Sequence, residues 1–213
     1  IIYSRKKFNE LHNNCAGKHL AMLTSCLVNN HSITNYLNYN HAHQKNIRKI
    51  FNKFTETKLS KKNFSLDGCS APQYSFKIKS ISKALNNLIK SYKNNYHYTE
   101  QVRTLVDSIL ENPEFIGGTA SFDTKVIKAS KGKVFCKSGA EGVFLFVDIQ
   151  KEISGVIKIT DGNERAIPIT IINILKKLKI INRKELKNLE KKEKFELQNH
   201  AGKKIGRVSF IMK

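Results

Sequence analysis

Apolar residues recur at helical spacing through the first half of the chain and in short, strand-like runs through much of the second. After Cys15-Ala16-Gly17-Lys18-His19, Leu20, Leu23 and Leu27 fall three and four residues apart, which predicts an amphipathic helix. Ile47, Ile50, Phe51 and Phe54 form a second stripe, closed by the polar run around Lys58. Ile78, Ile81, Leu85, Leu88 and Ile89 form a third. Val102, Leu105, Val106, Ile109 and Leu110 form a fourth, stopped by Asn112-Pro113 because the residue before a proline is pushed out of the helical region.

The pattern then changes. Residues 133–136, 142–149 and 153–160 are short β-branched and aromatic runs separated by turn residues, which predicts consecutive antiparallel strands. Residues 167–178 return to a helical pattern, and 205–212 offer a last strand. Residues 176–194 alternate Lys and Glu around Leu178, Leu186 and Leu189 and are read as helix with a solvated face. Helices first, then a meander, then helix and strand describe an α+β domain with helices packed on an antiparallel sheet. With no internal repeat, no Pro- or Ser-rich linker and only 3 prolines, 1–213 is read as a single domain.

Composition adds one unusual feature. Hydrophobic residues make up 40% and aromatics 9%, ordinary for a globular chain and too apolar for a disordered one. Lys plus Arg total 38 against 17 acidic residues, a formal net charge of +21. Such an excess raises a nucleic acid or an anionic membrane as partner. Here it is mostly Lys, without the bidentate fork that reads phosphates and guanine edges, and it is spread along the whole chain. A solvated surface with AT-rich codon drift explains it better, so a nucleic-acid partner is disfavoured. No apolar run is long enough for secretion or insertion. The 4 scattered cysteines suit reduced thiols in a cytoplasmic setting, with no membrane partner.

Four segments set glycine beside reactive side chains: His12-Asn13-Asn14-Cys15-Ala16-Gly17-Lys18-His19, Asp67-Gly68-Cys69, Gly117-Gly118-Thr119 and Lys137-Ser138-Gly139-Ala140-Glu141-Gly142. On a helix, Cys15 and Lys18 would share a face, so a thiolate could pair with the cation or both could bind one metal. A lysine ligand must be neutral, which is uncommon. Cys69 could complete a Cys, Lys, Cys set with water in the fourth position. The plainer alternative leaves Cys15 and Cys69 as small buried hydrophobes.

Lys137-Ser138-Gly139 ends one predicted strand, as the Lys-Thr/Ser-Gly triplet of penicillin-binding serine acylases does, facing a Ser-x-x-Lys nucleophile. Ser-x-x-Lys begins at Ser4, Ser80 and Ser130, about the number that chance supplies in so Lys-rich a chain. None of the three has the surroundings of a nucleophile.

Taken in order, the four blocks, with Ser70-Ala71-Pro72 extending the second, and Lys158-Ile159-Thr160-Asp161-Gly162, Arg165 and Asn199-His200-Ala201-Gly202 resemble the zinc-containing asparaginase II family over about residues 11 to 208. The resemblance implies a serine-β-lactamase-like fold and hydrolysis of L-asparagine to aspartate and ammonia. It implies zinc held by Cys15, Lys18 and Cys69, and a catalytic role for Lys137. Asp67, His19, Gly118, Thr119, Gly139 and Glu141 are expected around metal or substrate. Ala16 replaces the family's usual serine. The family's front part, with its Ser-x-x-Lys pair and second serine, has no counterpart here, so the domain is expected to be N-terminally incomplete and inactive alone. A separately encoded N-terminal part would complement it, and a homodimer would be in keeping. The alternatives are a non-catalytic remnant binding zinc or asparagine, and a basic nucleic-acid-binding module.

Overall fold

A computed structural model of the chain describes residues 7, 9–191, 193 and 195–212. The chain forms two compact units, the first ending at Ser80 and the second beginning at Ile81. The Ser4 match to Ser-x-x-Lys and the last position of the 176–194 segment lie outside the described residues.

The first unit holds α1 (Ala16–Val28), α2 (Ala42–Thr55) and a hairpin of β1 (Phe64–Leu66) and β2 (Pro72–Tyr74). Its α1 helix forms where the leucine spacing predicts, but the leucine stripe is not its buried face. Met22 and Cys26 are buried, whereas Leu20 and Leu27 are 53% and 64% exposed. The reason lies in α2, whose buried Gln44 donates to the Met22 sulfur at 3.5 Å and to the Tyr36 carbonyl at 3.0 Å. Aromatic packing supplies what this small core lacks in aliphatic mass. Arg48 lies 3.8 Å from the Tyr39 ring centroid and donates to Tyr39 O and Tyr74 Oη, while Phe51 packs against Tyr74 and Phe76.

Helix α3 (Ile78–Asn94) begins at the end of the first unit and runs into the second. The second unit continues with α4 (Thr99–Glu111), α5 (Glu114–Gly117) and α6 (Phe122–Ala129). The expected meander follows: β3 (Val134–Gly139), β4 (Val143–Asp148) and β5 (Ile153–Lys158), antiparallel in the order β3-β4-β5. Helices α4, α5 and α6 pack on β3, so the α+β reading holds. Val134, Cys136, Phe144, Phe146 and Val147 are buried in the sheet, together with Val126 and Ile127 of α6.

Helix α7 (Ile167–Lys177) matches its prediction. The expected helix over 176–194 is interrupted instead. Lys179 adopts a left-handed φ of 52°, and the Ile180 amide returns to the Leu175 carbonyl at 3.0 Å, closing α7. Asn182 and Glu185 then cap each other reciprocally and start α8 (Arg183–Glu190). The last expected strand shortens to β7 (Lys204–Arg207), paired with β6 (Glu196–Gln198) across the Asn199–Gly202 turn. Asn199 accepts from the Ala201 and Lys203 amides there, so that block of the sequence builds a turn.

Candidate active site

In the first unit, the tight connection between β1 and β2 folds around Asp67. Its Oδ1 accepts from the Cys69 amide at 3.0 Å, the Ala71 amide at 2.9 Å and the Cys69 thiol at 3.0 Å. Its Oδ2 accepts from Gln73 Nε2 at 3.0 Å and from the Lys18 ammonium. Ser70 makes the turn with a φ of 65°. Lys18 stands in the first turn of α1, just after an Asx turn in which the Asn13 side chain accepts from the Cys15 amide at 2.8 Å. Thus the Asn13-to-Lys18 block and the Asp67-to-Cys69 block meet.

Cys15, Lys18, Cys69 and Asp67 interact as one group. Burial pushes the Asp67 carboxyl up, but hydrogen bonds from Lys18, Cys69, Gln73 and the Ala71 amide outweigh it and hold the carboxyl far below its usual range. For Lys18, burial pulls down and is outweighed by the bonds to Asp67 and Cys69, so its ammonium is stabilised. A hydrogen bond with Cys69, then burial, raises the Cys15 thiol. The arrangement sets the two cysteines beside the Lys18–Asp67 ion pair. Among the described residues no group of three His, Cys, Asp or Glu side chains is arranged to hold a metal ion. The donors gathered here are two sulfurs and an amine.

His19 turns elsewhere. Its Nδ1 lies 2.6 Å from Tyr36 Oη, and it lines a cavity of about 460 Å³ together with Asn13, Ala16, Leu20, Cys69 and Ser70.

The second unit carries the other cluster. Lys137 and Ser138 lie near the end of β3, an edge strand of the meander. The Lys137 ammonium donates to the Ser138 carbonyl at 2.6 Å and to Asp123 Oδ2 at 3.4 Å. The same carboxylate oxygen accepts from the Ser138 amide at 3.0 Å and hydroxyl at 2.9 Å. Asp123 is 1% exposed. Sequence reasoning passed over it; its signal was a lone acid two residues after Ser121, the side chain that caps α6. Beside it, Cys136 is buried and its thiol is pushed well above its ordinary value, by burial first and then by the Asp123 charge.

Gly118 takes a φ of 93°, which a β-carbon disfavours, and its carbonyl accepts from Thr124 Oγ1 at 2.8 Å. Thr119 is exposed in the same loop. Gly139 pairs with Val143 at the mouth of the β3–β4 turn, and Glu141 and Gly142 make that turn with φ of 61° and 68°. The Glu141 carbonyl accepts from Lys158 Nζ at 2.7 Å, and Ile159 N donates to Gly142 O at 2.8 Å, so two more of the sequence blocks meet. Glu141 therefore acts through the backbone of a turn, away from the Lys137 ammonium's own partners.

Set against known proteins, residues 1–210 match the family model for L-asparaginase II. No curated protein matches. No helix among the described residues is long and apolar enough to cross a membrane.

Proposed function

Because the chain belongs to the L-asparaginase II family, we propose that it hydrolyses the side-chain amide of L-asparagine to aspartate and ammonia once a nucleophile is supplied. In this reading Lys137 is the lysine of the reacting centre, and Cys15, Lys18 and Cys69 hold zinc. The observation that carries it is the meeting of two blocks far apart in sequence, Cys15-to-Lys18 and Asp67-to-Cys69, in which the Asp67 carboxylate accepts from both the Lys18 ammonium and the Cys69 thiol.

The donor set fits the metal in kind. Two thiols and one amine give three ligands and leave a position open. Zinc there would supply a divalent charge that keeps both thiols deprotonated and Lys18 neutral. Asp67 would stay as the outer carboxylate, accepting from the Lys18 amine and the Cys69 amide and so orienting both ligands. His19, Ala16 and Ser70 line the cavity that adjoins these ligands in the first unit. Gly118, Thr119, Gly139 and Glu141, all in the second unit, are assigned to substrate contact.

Lys137 supplies a positive charge at a strand end. Such a group lowers the cost of negative charge developing on an amide oxygen. We read the meander with α4 to α6 as serine-β-lactamase-like, since Lys137-Ser138-Gly139 ends an edge strand. The nucleophile is another matter. Ser80 Oγ accepts from Thr57 at 2.9 Å on the surface of α3. Ser130 is fully buried, donating to Ile127 O at 2.9 Å and accepting from Val134 N at 3.2 Å. Ser130 is enclosed and Ser80 is engaged by Thr57, so neither is assigned as the nucleophile, and in this reading the chain binds without turning over until a serine is brought to Lys137. The four free cysteines suit a reducing, cytoplasmic setting, which belongs to the same proposal.

The test is ammonia release from L-asparagine. The 213-residue chain by itself gives none, and addition of a Ser-x-x-Lys-bearing front segment of the family restores turnover that Lys137→Ala abolishes. Turnover by the lone chain, or turnover indifferent to Lys137, would refute the assignment.

A further inference from the structure

We infer that Asp123 is the positioning residue for Lys137: one buried carboxylate fixes where the lysine ammonium and the Ser138 hydroxyl stand at the end of β3. The inference rests on the reading of Lys137 as the reacting-centre lysine.

Neighbouring residues of a strand point their side chains to opposite faces, so Lys137 and Ser138 should diverge. Instead both reach one oxygen. Asp123 Oδ2 accepts from Ser138 Oγ at 2.9 Å, Ser138 N at 3.0 Å and Lys137 Nζ at 3.4 Å. The Lys137 stem folds back across its own strand to do so, with its ammonium also on the Ser138 carbonyl at 2.6 Å. A third group outside the strand is needed to hold that arrangement, and α6 provides it.

The carboxylate is a costly choice if its purpose is only to fold the unit. It is 1% exposed, and its other oxygen, Oδ1, is buried with no hydrogen-bond partner among the described residues. A buried charge is expensive unless paired, and an apolar or amide side chain would spare that cost. It is not a helix cap either, because Ser121 caps α6 by accepting from Thr124 N. Its ion partner is Lys137. Gly117, at the end of α5, packs toward the same oxygen: a β-carbon there would stand 3.2 Å from Asp123 Oδ2 and 2.4 Å from Ser121 Oγ, so a larger residue would displace the Ser121 cap.

The experiment is competitive acylation of the chain's lysines with acetic anhydride, read site by site by mass spectrometry. Asp123→Asn keeps the shape and the acceptor for Ser138 but removes the charge. The Lys137 side chain is 42% exposed, so solvent screening limits the expected change. Lys137 in the variant should react about two- to fivefold faster relative to the other lysines. Asp123→Glu should restore part of the protection, and Ser138→Ala, which keeps the anion, should leave the Lys137 rate unchanged. An equal acceleration in Ser138→Ala would show simple loosening and overturn the proposal, as would an unchanged rate in a folded Asp123→Asn chain. Should Asp123→Asn fail to fold, the unaltered chain still decides. Its Lys137 ammonium should give an observable ¹H–¹⁵Nζ cross-peak at neutral pH, assigned by its loss in Lys137→Arg, and the absence of that peak overturns the proposal. Neither readout needs zinc or turnover. A negative result here leaves the asparaginase reading standing, and absent ammonia release in the complemented enzyme leaves the Asp123–Lys137 result standing.

Discussion

Asp67 and His43 show how single residues decide the first unit. Asp67 takes five donors from Lys18, Gln73, Cys69 and Ala71. Asp67→Ala should cost about 2 kcal/mol in chemical denaturation, since it strands a lysine and several amide donors. It should also weaken zinc affinity by about 10- to 100-fold, the usual cost of removing an outer-sphere carboxylate. His43 is 6% exposed, and its Nε2 is buried without a hydrogen-bond partner among the described residues. Burial, then the charges of His41 and His31, lowers its titration point below the unfolded value. The unfolded chain therefore binds the proton first as pH falls. Stability is full above the ordinary histidine range, about 6.5, and drains away below it toward the lower folded value. Thermal melts from pH 7.5 to 5 should show the first unit losing stability, with the loss reduced in His43→Leu; identical pH profiles would remove His43 as its source. The blocks that hold Cys15, Lys18, Cys69 and Lys137 stood out in the sequence because each sets glycine beside reactive side chains. Asp123 did not, because its partner arrives from a different element and no local spacing announces it.

At the scale of elements, periodicity located the segments better than it oriented them. The three meander strands and α7 stand where β-branched runs and apolar stripes put them. Helix α1 does too, yet its leucines face outward because the partner helix presents Gln44 to the Met22 side. Only the tertiary neighbour decides such a choice. The hairpin of β1 and β2 escaped notice because each strand is three residues long. The break between α7 and α8 hides in a left-handed lysine that no glycine marks. Within the meander, Gly155 faces Phe146, and a β-carbon there would lie 2.3 Å from that ring. Gly155→Ala should therefore destabilise the second unit by about 1–3 kcal/mol, the usual cost of overpacking. Phe146→Leu in the same chain should recover part of the loss. Additive losses in the double variant would mean that the ring is not what Gly155 accommodates.

For the molecule as a whole, two compact units carry the two clusters, the sulfur and amine donors in the first and Lys137 in the second. Family membership was legible because the blocks occur in order over nearly the whole chain, and the family match covers 1–210. The division at Ser80 was not, since α3 runs across it with unbroken helical spacing and no Pro or Gly to mark a boundary. The formal charge of +21 called for a polyanion or an explanation. Two of those lysines, Lys18 and Lys137, are engaged with Asp67 and Asp123. Everything proposed for the first unit depends on Cys15, Lys18 and Cys69 taking one metal ion together. The direct measurement is titration of the chelator-stripped chain with cobalt, followed by zinc competition and a count of metal per chain. The expected result is one ion per chain with thiolate-to-cobalt charge-transfer bands that Cys15→Ser or Cys69→Ser diminishes and Lys18→Met weakens. A chain that takes up no metal, or whose bands survive both cysteine substitutions, would contradict it.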